Sequence, residues 1–389
     1  MQHEVIVVGA GPAGSMTAMS LAQQGHDVLL LDRQAFPRDK TCGDAVPAGA
    51  VELMYEMGMK DKVETAVARG EFYPAYGMQL VSPQGHVLDA AFAKGRHMGL
   101  DSYVAPRLYL DAVLQQHALD SGAKFQTWTV KEPIVENGRV TGVRAQTNGS
   151  IKEIKAQMVV GADGVTSVIT RALRPKEGMH QDGHRAVALR AYIEDLEEIP
   201  NTVEFFLYKE ILPGYAWIFP IGEGRANIGL GLRLDHLRQH NLRLKTMLQH
   251  FLEMPAVKKR LKQGGKLHDI ATWQLNFGSQ KHMQHTYDGA LLVGDAAGFI
   301  NPLTGGGIHN ALVSARLAAQ TIHNALADND TSRERLRVYE TRCHEEMWDS
   351  MKRSYFMQRA FMKFPFLIDW LVRWGKENSQ LAQTFLTKL

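Results

Sequence analysis

Three glycine and acid elements in this chain of 389 residues have types and spacing suited to holding a nucleotide. The first, Gly9-Ala10-Gly11-Pro12-Ala13-Gly14, follows the apolar run Val5-Ile6-Val7-Val8 and opens a helical run from Ser15 to Gln24. Such a turn suits a pyrophosphate. Gly9 permits the tight turn, Gly11 lets the backbone approach a phosphate where a Cβ would collide, and Gly14 lets the helix pack closely on the strand. The helix start adds unpaired N–H groups and a partial positive charge. A second apolar run, Val28-Leu29-Leu30-Leu31, ends in Asp32, 18 residues past Gly14, where an acid accepts hydrogen bonds from ribose hydroxyls. The other two elements are Asp163-Gly164 and Gly294-Asp295. Taken alone, each acid reads equally well as a turn or helix-cap residue.

Further chemistry-bearing residues lie between these elements. Arg33 to Val46 forms a polar loop that leaves the carboxyl end of a strand, which is where ligands bind in open α/β sheets. Cys42 and Gly43 sit within it, so Cys42 is either a thiol near a reacting group or a small residue beside a turn. Gly214-Tyr215-Ala216-Trp217-Ile218-Phe219-Pro220 supplies large aromatic side chains that either line a cavity or pack a sheet core. Asn301-Pro302-Leu303-Thr304-Gly305-Gly306-Gly307-Ile308 is a second glycine-rich loop before a helix, and Arg107 opens a helix running to Ser121.

The elements that must position these residues read as α/β, with mixed α+β character. A Rossmann-like nucleotide domain is expected in three pieces, 1–71, 107–180 and 283–330. A β-rich substrate domain is expected from 72–106 and 181–282, and a helical tail from 331–389. Asn137-Gly138 and Asn148-Gly149 mark hairpins in a meander, and Ser82-Pro83-Gln84-Gly85 and Lys94-Gly95 mark turns between short strands. Strands are expected near Phe125 to Glu136, Arg139 to Thr147, Ser150 to Gln157 and Met158 to Val160, and one helix around Leu242 to Leu261. The 45% hydrophobic and 22% charged residues give a globular chain with no surplus for disorder. A net charge of +3 is too small for this length to point to nucleic acid. The two cysteines, Cys42 and Cys343, make no metal-ligand spacing or disulfide framework, and no leader is read before the first strand. A reducing, cytoplasmic setting is expected.

Together, the three elements resemble the glutathione-reductase-like flavin enzymes, in the branch shared by para-hydroxybenzoate hydroxylase, flavin-dependent halogenases and geranylgeranyl reductases. The resemblance runs from Met1 to about Asn324. It implies FAD as cofactor. Gly9, Gly11, Pro12, Ala13, Gly14, Asp32 and Arg33 would hold the ADP half, with Arg107, Asp163 and Gly164 nearby. Gly294 and Asp295 would meet the ribityl chain. Pro302, Gly305, Gly306, Gly307 and Ile308 would lie against the isoalloxazine ring. Lys40-Thr41-Cys42-Gly43-Asp44 is similar to the geranylgeranyl reductases' cysteine-glycine loop, whose commoner form has a second glycine where Asp44 stands. Tyr215 and Trp217 match that branch's Tyr-x-Trp-x-Phe-Pro motif. Halogenases have Trp where this chain has Tyr215 and Ile where it has Phe219.

The resemblance therefore implies reduction of isoprenoid carbon–carbon double bonds by hydride from reduced flavin, with Cys42, Gly43, Tyr215 and Trp217 at the reacting end. The same scaffold serves group A-type monooxygenases using NAD(P)H and oxygen, and prenyl-protein escort proteins that need no flavin. The intact glycine and acid elements argue against the escort role. The electron donor is expected to be NAD(P)H or a ferredoxin, and Cys42 is a candidate proton donor. The tail interleaves Phe356, Phe364, Phe366, Trp370 and Trp374 with Arg353, Arg359, Lys363, Arg373 and Lys376. That pattern suits either helices closing over the domains or a seat at a lipid surface. Pro365 should interrupt it.

Overall fold

The structure, a computed structural model, describes residues 2–92, 101–147, 149–175, 178–197 and 200–378, with only the backbone described at 263–264. The expected turn at Lys94-Gly95 lies outside this set, as does Asn148 of the second hairpin.

The apolar runs at the start of the chain become the centre of a parallel sheet. Strands Lys124–Thr127, Val28–Asp32, Gln2–Val8, Ser150–Gly161 and Ala290–Leu292 lie side by side in that order, each parallel to its neighbour. Val5, Ile6, Leu30, Leu31, Val159 and Leu291 are fully or almost fully buried, as expected of strands covered on both faces. Helix Pro12–Gln23 packs against helices Arg107–Asp120 and Ile308–Ala327. Parallel pairing has a consequence for the site. Val8 lies opposite Leu31 and Gly161, and Gly161 opposite Leu292. The Gly9 turn, Asp32, Asp163 and Gly294-Asp295 therefore all emerge at one sheet edge, although up to 286 residues separate Gly9 from Asp295 in sequence.

A second sheet, seven-stranded over the described residues, runs in the order Leu261–Asn276, Arg185–Leu196, Arg225–Arg233, Tyr215–Gly222, Thr202–Phe206, Gly77–Val81 and Val87–Ala91. Its pairs are antiparallel except that Thr202–Phe206 runs parallel to Gly77–Val81. The period-2 alternation of a strand divides its side chains between two cores. Ile218, Ile228 and Leu230 pack with Leu248 and Phe251 of helix Leu244–Glu253. Trp217 and Phe219 turn to the other face with Phe205 and Tyr215. Ala45–Val46, Ser102–Val104 and Tyr73–Ala75 form a small third sheet.

Several local expectations are revised. The single helix expected around Leu242 to Leu261 is two pieces, Leu244–Glu253 and Pro255–Lys258, because Pro255 removes a donor and starts a new turn. Leu261 instead opens a long strand to Asn276. Phe125 to Glu136 breaks at Trp128 into Lys124–Thr127 and Thr129–Glu136, whereas Ser150–Gly161 is one strand leading from the hairpin into the parallel core. Helices Lys60–Ala68 and Leu234–Gln239 were not legible in the sequence pattern. In the tail, helix Arg333–Cys343 continues through a wider turn at His344–Trp348 into Asp349–Lys363, and Pro365 separates it from Phe366–Glu377.

Candidate active site

A single cavity of about 1640 Å³ runs along the edge where the parallel strands end and continues between the second sheet and the C-terminal helices. Of the residues expected at the site, all line it except Gly14 and Gly294. Those two act in packing. A Cβ on Gly14 would come within 1.7 Å of the Gly9 carbonyl oxygen, and one on Gly294 within 2.8 Å of the Ala13 Cβ.

At the nucleotide end, Gly9 holds φ +101° and a Cβ there would come 2.4 Å from the Ala162 carbonyl oxygen, so strand, turn and neighbouring strand close up only around glycine. Gly11 is different. Its φ of −75° suits any residue, and the nearest atoms to a Cβ would be the guanidinium nitrogens of Arg107 and Arg38, at 3.6 and 3.8 Å. The missing Cβ thus keeps cavity space free beside two cations and an uncapped helix start, which is the cradle an anionic phosphate needs. Asp32 accepts hydrogen bonds from the Ala10 N–H at 2.9 Å and the Gln34 N–H at 3.0 Å, fixing its carboxylate at the rim. These residues fit the ADP half of FAD.

Arg107 is held by Asp111, one helical turn on, through Nε–Oδ1 at 2.6 Å and Nη2–Oδ2 at 2.7 Å. Arg38 reaches the same carboxylate at 2.5 Å. Burial would weaken the Arg107 guanidinium, but Asp111 outweighs it and holds it more firmly charged than a free arginine. Asp163 accepts from Ser167 Oγ at 2.5 Å and Val168 N–H at 2.7 Å, so its carboxylate caps the start of helix Val168–Leu173 while also forming part of the cavity wall. Asp295 pairs with Lys40 at 3.4 Å. Helix Ile308–Ala327 begins at Gly307 with no side-chain cap, presenting a positive helix end to the cavity. The preceding loop is tied to the tail: Gln358 Nε2 donates to the Pro302 carbonyl at 2.5 Å, and Asn301 Nδ2 to Ser354 Oγ at 3.0 Å.

The reacting end expected from the sequence converges on one network. Gly43 lies against the aromatic wall, where a Cβ would stand 3.2 Å from the Phe219 ring and 3.7 Å from Trp217. Trp217 Nε1 donates to Asn227 Oδ1 at 2.9 Å, and Asn227 Nδ2 donates to the Cys42 carbonyl at 2.8 Å and to Asp44 Oδ2 at 2.7 Å. Tyr192 donates to the same Asp44 oxygen at 2.7 Å. Asp44 is fully buried, and burial pushes its carboxyl up to about 6 despite the donors and the nearby Arg190 and Arg107. The Tyr215 hydroxyl donates to the Thr304 carbonyl, tying the aromatic wall to the glycine loop. Burial, and then the nearby Cys42, push that phenol above its ordinary range.

Beyond the aromatic wall the cavity becomes apolar. Met78, Leu80 and Leu88 of the edge hairpin and Ile368, Leu371 and Val372 of helix Phe366–Glu377 line it, with Leu80, Leu88, Ile368 and Val372 packed in one apolar cluster. That helix is anchored by Asp369, which accepts from Ser82 Oγ at 2.6 Å and the Gln84 N–H at 3.0 Å. Sequence reading did not single out Arg38, Asp111, Asn227, Tyr192 or Gln358. Only the Arg107 to Asp111 spacing carried a local signal, since i and i+4 meet on one helix face. The rest are brought in by strands distant in sequence.

The chain matches the model of the FAD binding domain family over residues 2–354. It is 33% identical to digeranylgeranylglycerophospholipid reductase 2 of Methanopyrus kandleri over 93% of this chain and 87% of that protein. It is 31% identical to digeranylgeranylglycerophospholipid reductase of Methanosarcina acetivorans over 92% and 85%. Among solved structures, a geranylgeranyl bacteriochlorophyll reductase-like protein of Thermoplasma acidophilum superimposes with a TM-score of 0.85 at 28% identity, covering 97% of this chain and 92% of that one. A flavin-dependent brominase reaches 0.77 at 16% identity, covering 100% and 94%, and shares the fold. With a nucleotide cradle, glycine loop and aromatic wall around one cavity, the chain belongs to the geranylgeranyl reductase family of FAD-binding flavoproteins.

Proposed function

We propose that this protein is a FAD-dependent reductase that hydrogenates carbon–carbon double bonds in a geranylgeranyl-type chain of a lipid. The observation that carries the reading is the single cavity joining a phosphate cradle to an apolar end, with the aromatic wall between them. Gly11, Arg107 and Arg38 would bind the pyrophosphate, Asp32 the adenosine ribose, and Lys40 with Asp295 the ribityl hydroxyls. The start of helix Ile308–Ala327 would face the pyrimidine edge of the ring. When bound and reduced, FAD supplies hydride, with electrons drawn from NAD(P)H or a ferredoxin.

The chain's own residues position the alkene and keep the site dry. An isolated trisubstituted double bond has no carbonyl to polarise, so its saturation needs a proton and places positive charge on carbon. The faces of Trp217, Phe219 and Tyr215 would tolerate that charge, and the apolar walls exclude water that would trap it. Cys42 and Gly43 would bring their loop against the reacting carbons. Digeranylgeranylglycerophospholipid with the reduced enzyme tests this: gain of two hydrogens per double bond is expected, and unchanged lipid with the flavin fully loaded would refute it.

The substrate's origin in a membrane fits the tail. Among the described residues no helix is long and apolar enough to cross a membrane. Phe356 and Phe366 are 62% exposed and Trp370 57%, while Ile368 and Val372 on the same last helix are buried in the cavity wall. The tail would rest at the cytoplasmic face of an anionic membrane, held by its arginines and lysines. Liposome pelleting should fall when Phe364, Phe366 and Trp370 are made serine; equal pelleting would remove this part of the reading.

A further inference from the structure

Gln358 lies past residue 354, where the match to the FAD binding domain family ends, yet it reaches back to the glycine-rich loop of the site. That loop, Asn301 to Gly307, folds around its first residue. Asn301 Oδ1 accepts from the Leu303 and Thr304 N–H groups at 2.9 and 3.1 Å. Its backbone N–H donates to the Gly306 carbonyl and its carbonyl accepts from the Gly305 N–H, both at 2.9 Å. Helix Asp349–Lys363 then holds the whole unit. Ser354 Oγ accepts from Asn301 Nδ2 at 3.0 Å, and Gln358 Nε2 donates to the Pro302 carbonyl at 2.5 Å. Ser354 and Gln358, at i and i+4, share one helix face and are 1% and 4% exposed.

These bonds meet on one peptide unit. The Pro302 carbonyl and the Leu303 N–H lie in the same plane. Gln358 pins one end of it, and Asn301, itself tied to Ser354, pins the other. The proline ring fixes φ on the near side. The direction in which the loop enters the cavity is therefore set by the tail helix. Gln358 makes its bond at a cost, since an amide nitrogen turned to the carbonyl leaves Oε1 buried with no hydrogen-bond partner among the described residues.

We propose that Gln358, supported by Ser354, is a positioning residue for the flavin ring. Through the Pro302 carbonyl it holds the loop, and with it the start of helix Ile308–Ala327, where they support the isoalloxazine in the pose that hydride transfer requires. This rests on the reading that the loop lies against that ring. Without the Gln358 donor, one end of the peptide unit is free to turn, while the phosphate cradle beside Gly11 still holds the other half of the cofactor. A misplacement of about 1 Å can cost about 10²-fold in rate. Loss of one of the two ties should therefore slow hydride transfer by ~10-fold or more without releasing FAD.

The test uses the full chain loaded with FAD, as wild type, Gln358→Met, Gln358→Glu and Ser354→Ala. Each is reduced beforehand and mixed anaerobically with digeranylgeranylglycerophospholipid. Two signals are read: the rate of flavin reoxidation at saturating lipid, and the visible circular dichroism of the oxidised flavin, which reports the surroundings of the ring. Gln358→Met keeps the length and loses the donor. It should retain full flavin content and the wild-type lipid KM, reoxidise ~10-fold or more slowly, and show altered dichroism. Ser354→Ala should move both signals the same way by less. Gln358→Glu donates only as a neutral acid, so it should match the Met variant at high pH and regain both wild-type signals as pH falls through its ionisation. Wild-type rate and dichroism in Gln358→Met, a loss confined to lipid KM, or a Glu variant that stays defective at every pH would each overturn the proposal. If Gln358→Met holds no flavin, Ser354→Ala decides, and wild-type values of both signals there would overturn it. A wild-type enzyme that the lipid never reoxidises would refute the reductase reading instead, and the dichroism series would still decide the positioning role.

Discussion

Replacing Asp44 by asparagine should make the fold more stable at neutral pH by an amount that depends on pH. Asp44 is fully buried, and its carboxyl is raised from the ordinary value of 3.8 to about 6, chiefly by burial, with Tyr192, Asn227, Arg190 and Arg107 working in the opposite direction. An acid raised in the folded state makes its full contribution to stability below the unfolded value, and loses it as pH rises through the folded one. The gap between 3.8 and about 6, at about 1.4 kcal/mol per pH unit, makes the folded carboxylate cost about 3 kcal/mol at neutral pH relative to its unfolded state. Unfolding entropy of about 2.1 cal/mol/K per residue gives ~0.8 kcal/mol/K for the 389 residues, so the cost corresponds to ~4 °C in Tm. Asparagine keeps an acceptor for both donors and cannot ionise. Melting of FAD-loaded wild type and Asp44→Asn from pH 4 to pH 8 should show the variant gaining on wild type between about pH 4 and 6.5 and holding about 4 °C above that. A difference that stays constant across the series would refute the reasoning, because it would show that the Asp44 carboxyl ionises alike in the folded and unfolded chain.

Gly11→Leu should cost at least tenfold in FAD affinity, about 1.4 kcal/mol, and leave the melting of the flavin-free protein within about 1 °C, since a Cβ there borders the cavity and its nearest atoms are the ends of two arginine side chains rather than backbone; flavin titration and melting check both halves. His180 is half-buried, with its ring Nε2 enclosed and without a hydrogen-bond partner among the described residues, and desolvation and then Arg174 push it down to about 3, so it favours folding above its ordinary value of 6.5 and loses that contribution as pH falls. His180→Gln should therefore flatten the loss of Tm between pH 6.5 and 5, where the histidine accounts for about 2 kcal/mol. Asp369→Ala leaves the Ser82 hydroxyl and the Gln84 N–H without their acceptor, costing about 1–3 kcal/mol, and should speed proteolysis within the last helix while the parallel-sheet region stays protected.

How much of this was legible beforehand followed from the range of the interactions. The Gly9 turn, Asp32 and the Gly294-Asp295 pair were readable because strand, turn and helix are adjacent in sequence, and parallel pairing then brings them to one edge. The aromatic wall was readable as residue types, and period-2 alternation explains why Trp217 and Phe219 share a face. The Asn227 network was not readable, since Asp44, Tyr192 and Trp217 meet only when three strands of the second sheet pair beside the Cys42 loop. The tail's two faces were equally hidden. Its amphipathic spacing fits both a wall and a lipid seat, and only the pairing of Asp369 with the Ser82 turn decides which side turns inward.

The central claim is that this cavity joins a flavin to an alkene, and anaerobic mixing of reduced enzyme with digeranylgeranylglycerophospholipid tests it most directly. The oxidised-flavin spectrum should return without oxygen, one flavin for each double bond saturated. A spectrum that stays reduced until oxygen is admitted, followed by hydroxylated lipid, would contradict the account and make the protein a monooxygenase.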